Sequence, residues 1–94
     1  MRERDELNAM QKLGAEAEAF IVSPLGRHLI AKAEDEVAAA VEQLKTHEPT
    51  DTEGIRRIQN DIRVAESFNY WLAEAVQSGI NAISAMELMD APDA

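Results

Sequence analysis

With 94 residues, no cysteine, and 18 Asp and Glu against 9 Lys and Arg, the chain has room for one modest core and none for a disulfide scaffold or a Cys-ligated metal. Its formal net charge of −9 argues against general electrostatic attraction to nucleic acid or anionic lipid; after Arg63 no basic residue follows, while Glu66, Glu74, Glu87, Asp90 and Asp93 do. No apolar run approaches the roughly 20 residues that span a bilayer, and the opening "MRERDELNAM" lacks the apolar stretch of a signal peptide, so a soluble intracellular protein is expected.

Ala, Leu, Glu and Gln dominate, and Pro24, Pro49 and Pro92 divide the chain without interrupting any long periodic segment, which reads as all-α. The first helix is expected over about 5–22, with Leu7, Met10, Leu13, Ala17, Phe20 and Ile21 gathered on one face by steps of three and four. Gly14 weakens it by roughly 1 kcal/mol relative to alanine. It should stop at Ser23, where the following proline disfavours helical geometry and where the serine can cap a new segment beginning at Pro24.

The second helix is expected over 24–46, with Leu25, Leu29, Ala33, Val37, Val41 and Leu44 on its inner side and Lys32 and Glu36 outward, four apart and able to pair. Ala38, Ala39 and Ala40 would allow a neighbouring helix to approach closely. The stretch "HEPTDTEG" is the clearest loop; Thr50 or Asp51 can cap the next helix, and Thr50 with Glu53 has capping-box spacing. So short a connection makes the flanking helices antiparallel neighbours.

The third helix, about 53–88, carries Ile55, Ile58, Ile62, Ala65, Asn69, Leu72, Val76, Gly79, Ile83 and Met86 at alternating steps of three and four, a coiled-coil-like seam about four heptads long. A helix of that length exceeds what a small globule needs, so a bundle end or a partner would cover the excess; Gly79 offers an alternative end, leaving "INAISAMELM" as a separate turn. The fold expected is an antiparallel hairpin of two long helices plus an N-terminal helix, one domain over 1–94 with an acidic tail at 90–94.

Chemistry has little to stand on here. His28 and His47 are the only histidines, and Leu25 and Leu44 occupy the places where Glu-x-x-His glutamates would stand. Glu34, Asp35 and Glu36 are consecutive, so they point about 100° apart on a helix and do not converge on an ion. No phosphate-binding glycine loop or nucleophile motif is present, and neither a catalytic residue, a cofactor nor a metal is expected.

The residues that suggest contact are Arg56, Arg57 and Arg63, Asn69, Tyr70, Ile83 and Met86. The arginines lie near a helix start, where positive charge opposes the helix dipole; they either pair with Glu53, Asp61 or Glu66 or meet an acidic surface on a partner. Asn69 interrupts an apolar seam, a device that fixes register and oligomeric state, unless the helix turns so that Phe68, Trp71, Leu72 and Ala75 form the inner face. "SFNYWL" holds three of the four aromatics: Phe68 and Trp71 are expected in the hairpin core against Leu29, Ala33 and Val37, with Tyr70 under the first helix or on a contact surface.

Together, "SPLGRHLIAKAEDEVAAAVEQL" and "IRRIQNDIRVAESFNYWLAEAVQSG" resemble a group of small helical proteins encoded in tailed-phage and prophage genomes. The resemblance covers about two thirds of the chain and implies a phage setting without an activity or any site residue. The reading reached is a non-enzymatic helical interaction protein that self-associates or binds a larger phage component during assembly, in the bacterial cytoplasm or on the virion. The alternative class is an acidic inhibitor that mimics nucleic acid toward a basic host protein. Direct DNA binding through the three arginines conflicts with the net charge.

Overall fold

The computed structural model describes residues 2–91, so the end of the acidic tail expected at 90–94 lies outside the described residues. Three helices follow one another: α1 (Arg2–Val22), α2 (Pro24–Thr46) and α3 (Thr52–Asp90). The protein is all-α, as its periodicity predicts. Pro24 separates α1 from α2, having no N–H for the helical ladder. At the end of α1 the Ser23 hydroxyl and N–H both donate to the Phe20 carbonyl, at 2.6 and 3.0 Å.

Helix α3 has 39 residues, whereas α1 has 21 and α2 has 23. At 1.5 Å per residue α3 measures roughly 58 Å and each of the others roughly 32–35 Å, so neither can line it alone. Contacts accordingly form two compact units: one contains α1 and the part of α3 from Leu72 onward, the other contains α2 and α3 up to Trp71. Where the sequence reads as a single domain, each unit is a pair of helices.

In the α1 unit the two helices meet at glycine. A methyl group built on Gly14 would lie 2.9 Å from the Gly79 Cα and 3.1 Å from the Ala75 carbonyl oxygen; one built on Gly79 would lie 2.9 Å from the Gly14 Cα. Gly79 therefore does not end α3. It lets the α1 backbone come close, and the helix continues to Asp90. Close approach also decides what lies beside the glycines. Ala17, Ala82 and Met86 are buried, Ala82 to 1% exposure, while Leu13 and Ile83 remain exposed although their spacing places them inward. Larger side chains cannot enter at the glycines themselves, whereas Met86 is buried two turns beyond Gly79. Arg4 pairs with Asp90, joining the first turn of α1 to the last of α3.

In the α2 unit the same logic runs on a seven-residue period. Gly26, Ala33 and Ala40 are the buried residues of α2, and Ile58 is buried on α3. Leu29, Val37 and Leu44 are half-buried, and Leu25, expected inward, is exposed. Ala40 is the only buried member of the Ala38–Ala40 run, with Ala39 beside it at the rim. The predicted Lys32–Glu36 pair is not formed; the ion pairs of the described residues are Arg4–Asp90, Lys45–Glu42 and His47–Asp51.

Small-residue seams bring helices together but remove little apolar surface from water, about 0.8 kcal/mol per buried methyl-sized group. Among the described residues, no large side chain is fully buried.

Candidate interaction surface

The hairpin unit is set by its turn. Asp51 Oδ1 accepts the Gly54 N–H at 3.0 Å, which makes it the N-cap of α3, and its Oδ2 lies 2.8 Å from His47 Nε2. The Gly54 hydrogen bond first, then the His47 bond, hold the Asp51 carboxyl below the usual carboxylate range. Gly54 leaves room for this pairing, because a Cβ there would meet the ends of the His47 ring and the Asp51 carboxylate, which would have to swing aside. The capping box expected of Thr50 and Glu53 is absent: the Thr50 hydroxyl donates to Glu48 instead. Asp51 captures the helix start because its two oxygens satisfy the cap and the histidine together.

On one side of the hairpin, Leu29, Lys32, Ala33 and Glu36 of α2 and Val64, Ala65 and Phe68 of α3 line a shallow depression. Val64 stands four residues before Phe68 and seven before Trp71, so the three share one stripe of α3; Leu25 precedes Leu29 by one turn of α2. Within that stripe Phe68 and Leu29 are half-buried, but Trp71 and Val64 are each 64% exposed and Leu25 is 60% exposed. The expected burial of Trp71 in the hairpin core is thus corrected. The α2 seam of Gly26, Ala33 and Ala40 draws the helices together until larger flanking side chains are forced to the rim.

The opposite side carries the residues that the sequence singled out. Tyr70 and Asn69 share a depression with Glu34, Val37 and Glu66, and Tyr70 with Arg63, Glu66 and Gln59 line another along α3. Tyr70 is 63% exposed. Asn69 is half-buried on the seam, and its Oδ1 is shielded from water without a hydrogen-bond partner. Arg56 and Arg63 are seven residues apart and form a line with Tyr70; Arg57 falls on the other side, on the stripe of Val64 and Trp71. None of the three arginines makes an ion pair with Glu53, Asp61 or Glu66.

The structure separates the remaining two candidates from this surface. Met86 is buried within the α1 unit, so it serves that unit's own packing and is not available to a partner. Ile83, in the same unit, is 39% exposed because Ala82 takes its place beside Gly79. Sequence reasoning missed Leu25 and Val64 as surface residues. A signal was present: 64, 68, 71 and 75 form a second apolar stripe alongside the seam, more than one neighbouring helix can cover.

Among the described residues, no group of three or more His, Asp or Glu side chains is arranged to hold a metal ion, and no helix is long and apolar enough to cross a membrane. No family model matches the chain, and no curated protein or solved structure shows significant similarity to it.

Proposed function

We propose that this chain is a non-enzymatic helical interaction protein of phage or prophage origin. Its α2–α3 hairpin docks through the Leu25, Val64 and Trp71 stripe onto another helical surface during assembly. One observation carries this reading: an exposed tryptophan, valine and leucine stand on one side of the two-helix unit formed by α2 and the first part of α3. Exposed apolar residues gathered in this way mark contact sites, and tryptophan is among the residues that most often carry binding energy. The phage setting rests on the resemblance of the α2 and α3 sequences alone.

Trp71 is the only tryptophan, so its fluorescence reports on this surface directly. The purified chain should show a water-exposed emission spectrum when dilute and a blue-shifted one in its complex. Trp71→Ala should abolish complex formation and leave helicity unchanged. A wild-type chain that stays monomeric, and that co-purifies with no virion or morphogenesis component from infected cells, would sink the proposal.

A further inference from the structure

The occupant of this stripe can be named, on the reading that the hairpin docks. We infer that it is the same stripe of a second copy, the two hairpins stacking face to face about a two-fold axis at Val64 to form a four-helix bundle. An isologous contact requires a surface that complements itself when turned over, so that residue i meets j and j meets i. The stripe has that property in both its charge and its aromatic placement.

On α3, Arg57 lies seven residues before Val64 and Trp71 seven after, all three on one side of the helix. Turning a copy about Val64 places the Arg57 guanidinium of one chain over the Trp71 ring of the other, twice, a cation–π arrangement. On α2, Lys32 and Glu36 lie level with Val64, since all three line one depression. The same rotation exchanges them, so each Lys32 meets the other copy's Glu36. Among the described residues Lys32, Glu36 and Arg57 make no ion pair, and their side chains and that of Trp71 make no hydrogen bond; the Arg57 charge acts on Asp51 only from a distance. Around Val64 the stripe carries both signs, Arg57 and Lys32 with Glu36 and Asp61, in a chain of net charge −9.

The area suffices. Helix α2 has 23 residues, and two helices side by side over its length present roughly 35 Å by 20 Å, about 700 Å² per copy. The resulting total of about 1,400 Å² falls in the range of stable interfaces. Charge balance also separates this occupant from a basic partner. Two chains of charge −9 repel each other at long range, and salt screens that repulsion, so self-association tightens as salt rises; docking of a basic protein weakens.

The test uses the full chain. The chain has no cysteine, so Val64→Cys introduces a single thiol at the axis. It should cross-link to itself almost completely under mild oxidation, whereas Arg56→Cys on the opposite side should not. Sedimentation should give twice the chain mass at tens of micromolar, with affinity rising several-fold between low and moderate salt. Lys32→Glu and Glu36→Lys should each weaken the dimer at least tenfold, and the double variant should restore it, with circular dichroism confirming equal helicity.

Equal cross-linking at positions 64 and 56, or no rescue by the double variant, would overturn the two-fold placement. A monomer at all salt concentrations would overturn the inference. If that monomer still lost a phage partner on Trp71→Ala, docking would stand with a different occupant; if it bound nothing, both readings would fall.

Discussion

Replacing Gly14 by alanine should destabilise the protein, against the usual direction of such a change. In a helix interior the substitution normally gains roughly 1 kcal/mol, because glycine loses more backbone entropy on folding. At this position the new methyl would stand 2.9 Å from the Gly79 Cα and 3.1 Å from the Ala75 carbonyl oxygen. Carbon atoms prefer about 3.5–4.0 Å, so α1 must move away by somewhat less than 1 Å. Both obstacles are backbone atoms, and no side chain can swing aside. The contacts of Ala17, Ala82 and Met86, the buried apolar side chains among this unit's described residues, loosen together. Overpacking costs of about 1–3 kcal/mol therefore exceed the propensity gain and leave a net loss of up to about 2 kcal/mol, or several degrees in Tm. Urea unfolding followed by circular dichroism measures this, and hydrogen exchange should place the loss in α1 and the end of α3 while α2 keeps its protection. Gly79→Ala should behave alike, and the double variant should depart from additivity because both methyls enter the same crossing. A Gly14→Ala protein more stable than its parent would show that the helices do not meet at these glycines.

Asn69→Leu should raise stability by about 1–2 kcal/mol in urea unfolding, since it removes a shielded oxygen that has no hydrogen-bond partner; a loss would show that the amide has a bound donor. The Asp51 cap should give a pH dependence at the acid end: its carboxyl is held below the ordinary value of 3.8, so its contribution is present above about pH 4 and disappears as pH falls through the lowered value. Thermal melts of Asp51→Asn should therefore fall less between pH 5 and pH 3 (roughly the range over which carboxylates titrate) than those of the parent. Gly54→Ala should lower the melting temperature by displacing His47 and Asp51 from the turn, and an unchanged melt would refute the cap geometry.

The helices, their order and the hairpin were legible because each depends on local signals: proline at a boundary, a turn of polar residues, and apolar residues at steps of three and four. What escaped was the choice of which apolar residue enters the seam. Ile83 and Ala82 both fit the period within one position, and hydrophobicity favours isoleucine; the structure takes alanine because Gly14 and Gly79 set a short interhelical distance. The same rule misplaced Trp71 and Leu25, which are apolar enough for a core but too large beside Gly26 and Ala33. The sequence did contain the rule in plain form. Gly26, Ala33 and Ala40 repeat at seven, and a heptad of small residues signals close approach as clearly as a heptad of leucines signals knobs-into-holes packing. For Asn69, spacing left two readings open, a place on the seam or at the margin of an inner face of Phe68, Trp71, Leu72 and Ala75; the structure leaves the residue half-buried with a shielded oxygen.

A close seam also accounts for the division of labour across the hairpin. Helices that touch through glycine and alanine gain definition from backbone proximity, yet each buried methyl contributes little transfer energy, so stability must come from the side chains displaced to the rims. Those side chains are the ones that a partner can cover. Trp71 alone, 64% exposed, leaves about 160 Å² of a roughly 250 Å² side chain in water. Covering that area at about 25 cal/mol per Å² contributes about 4 kcal/mol before the costs of association. The comparable transfer term for the buried Ala33 and Ala40 methyls together is about 1.6 kcal/mol. A single rim tryptophan thus outweighs two seam alanines. On these magnitudes the hairpin should become measurably more resistant to urea as its concentration rises, and a midpoint independent of concentration would mean that no copy covers the stripe.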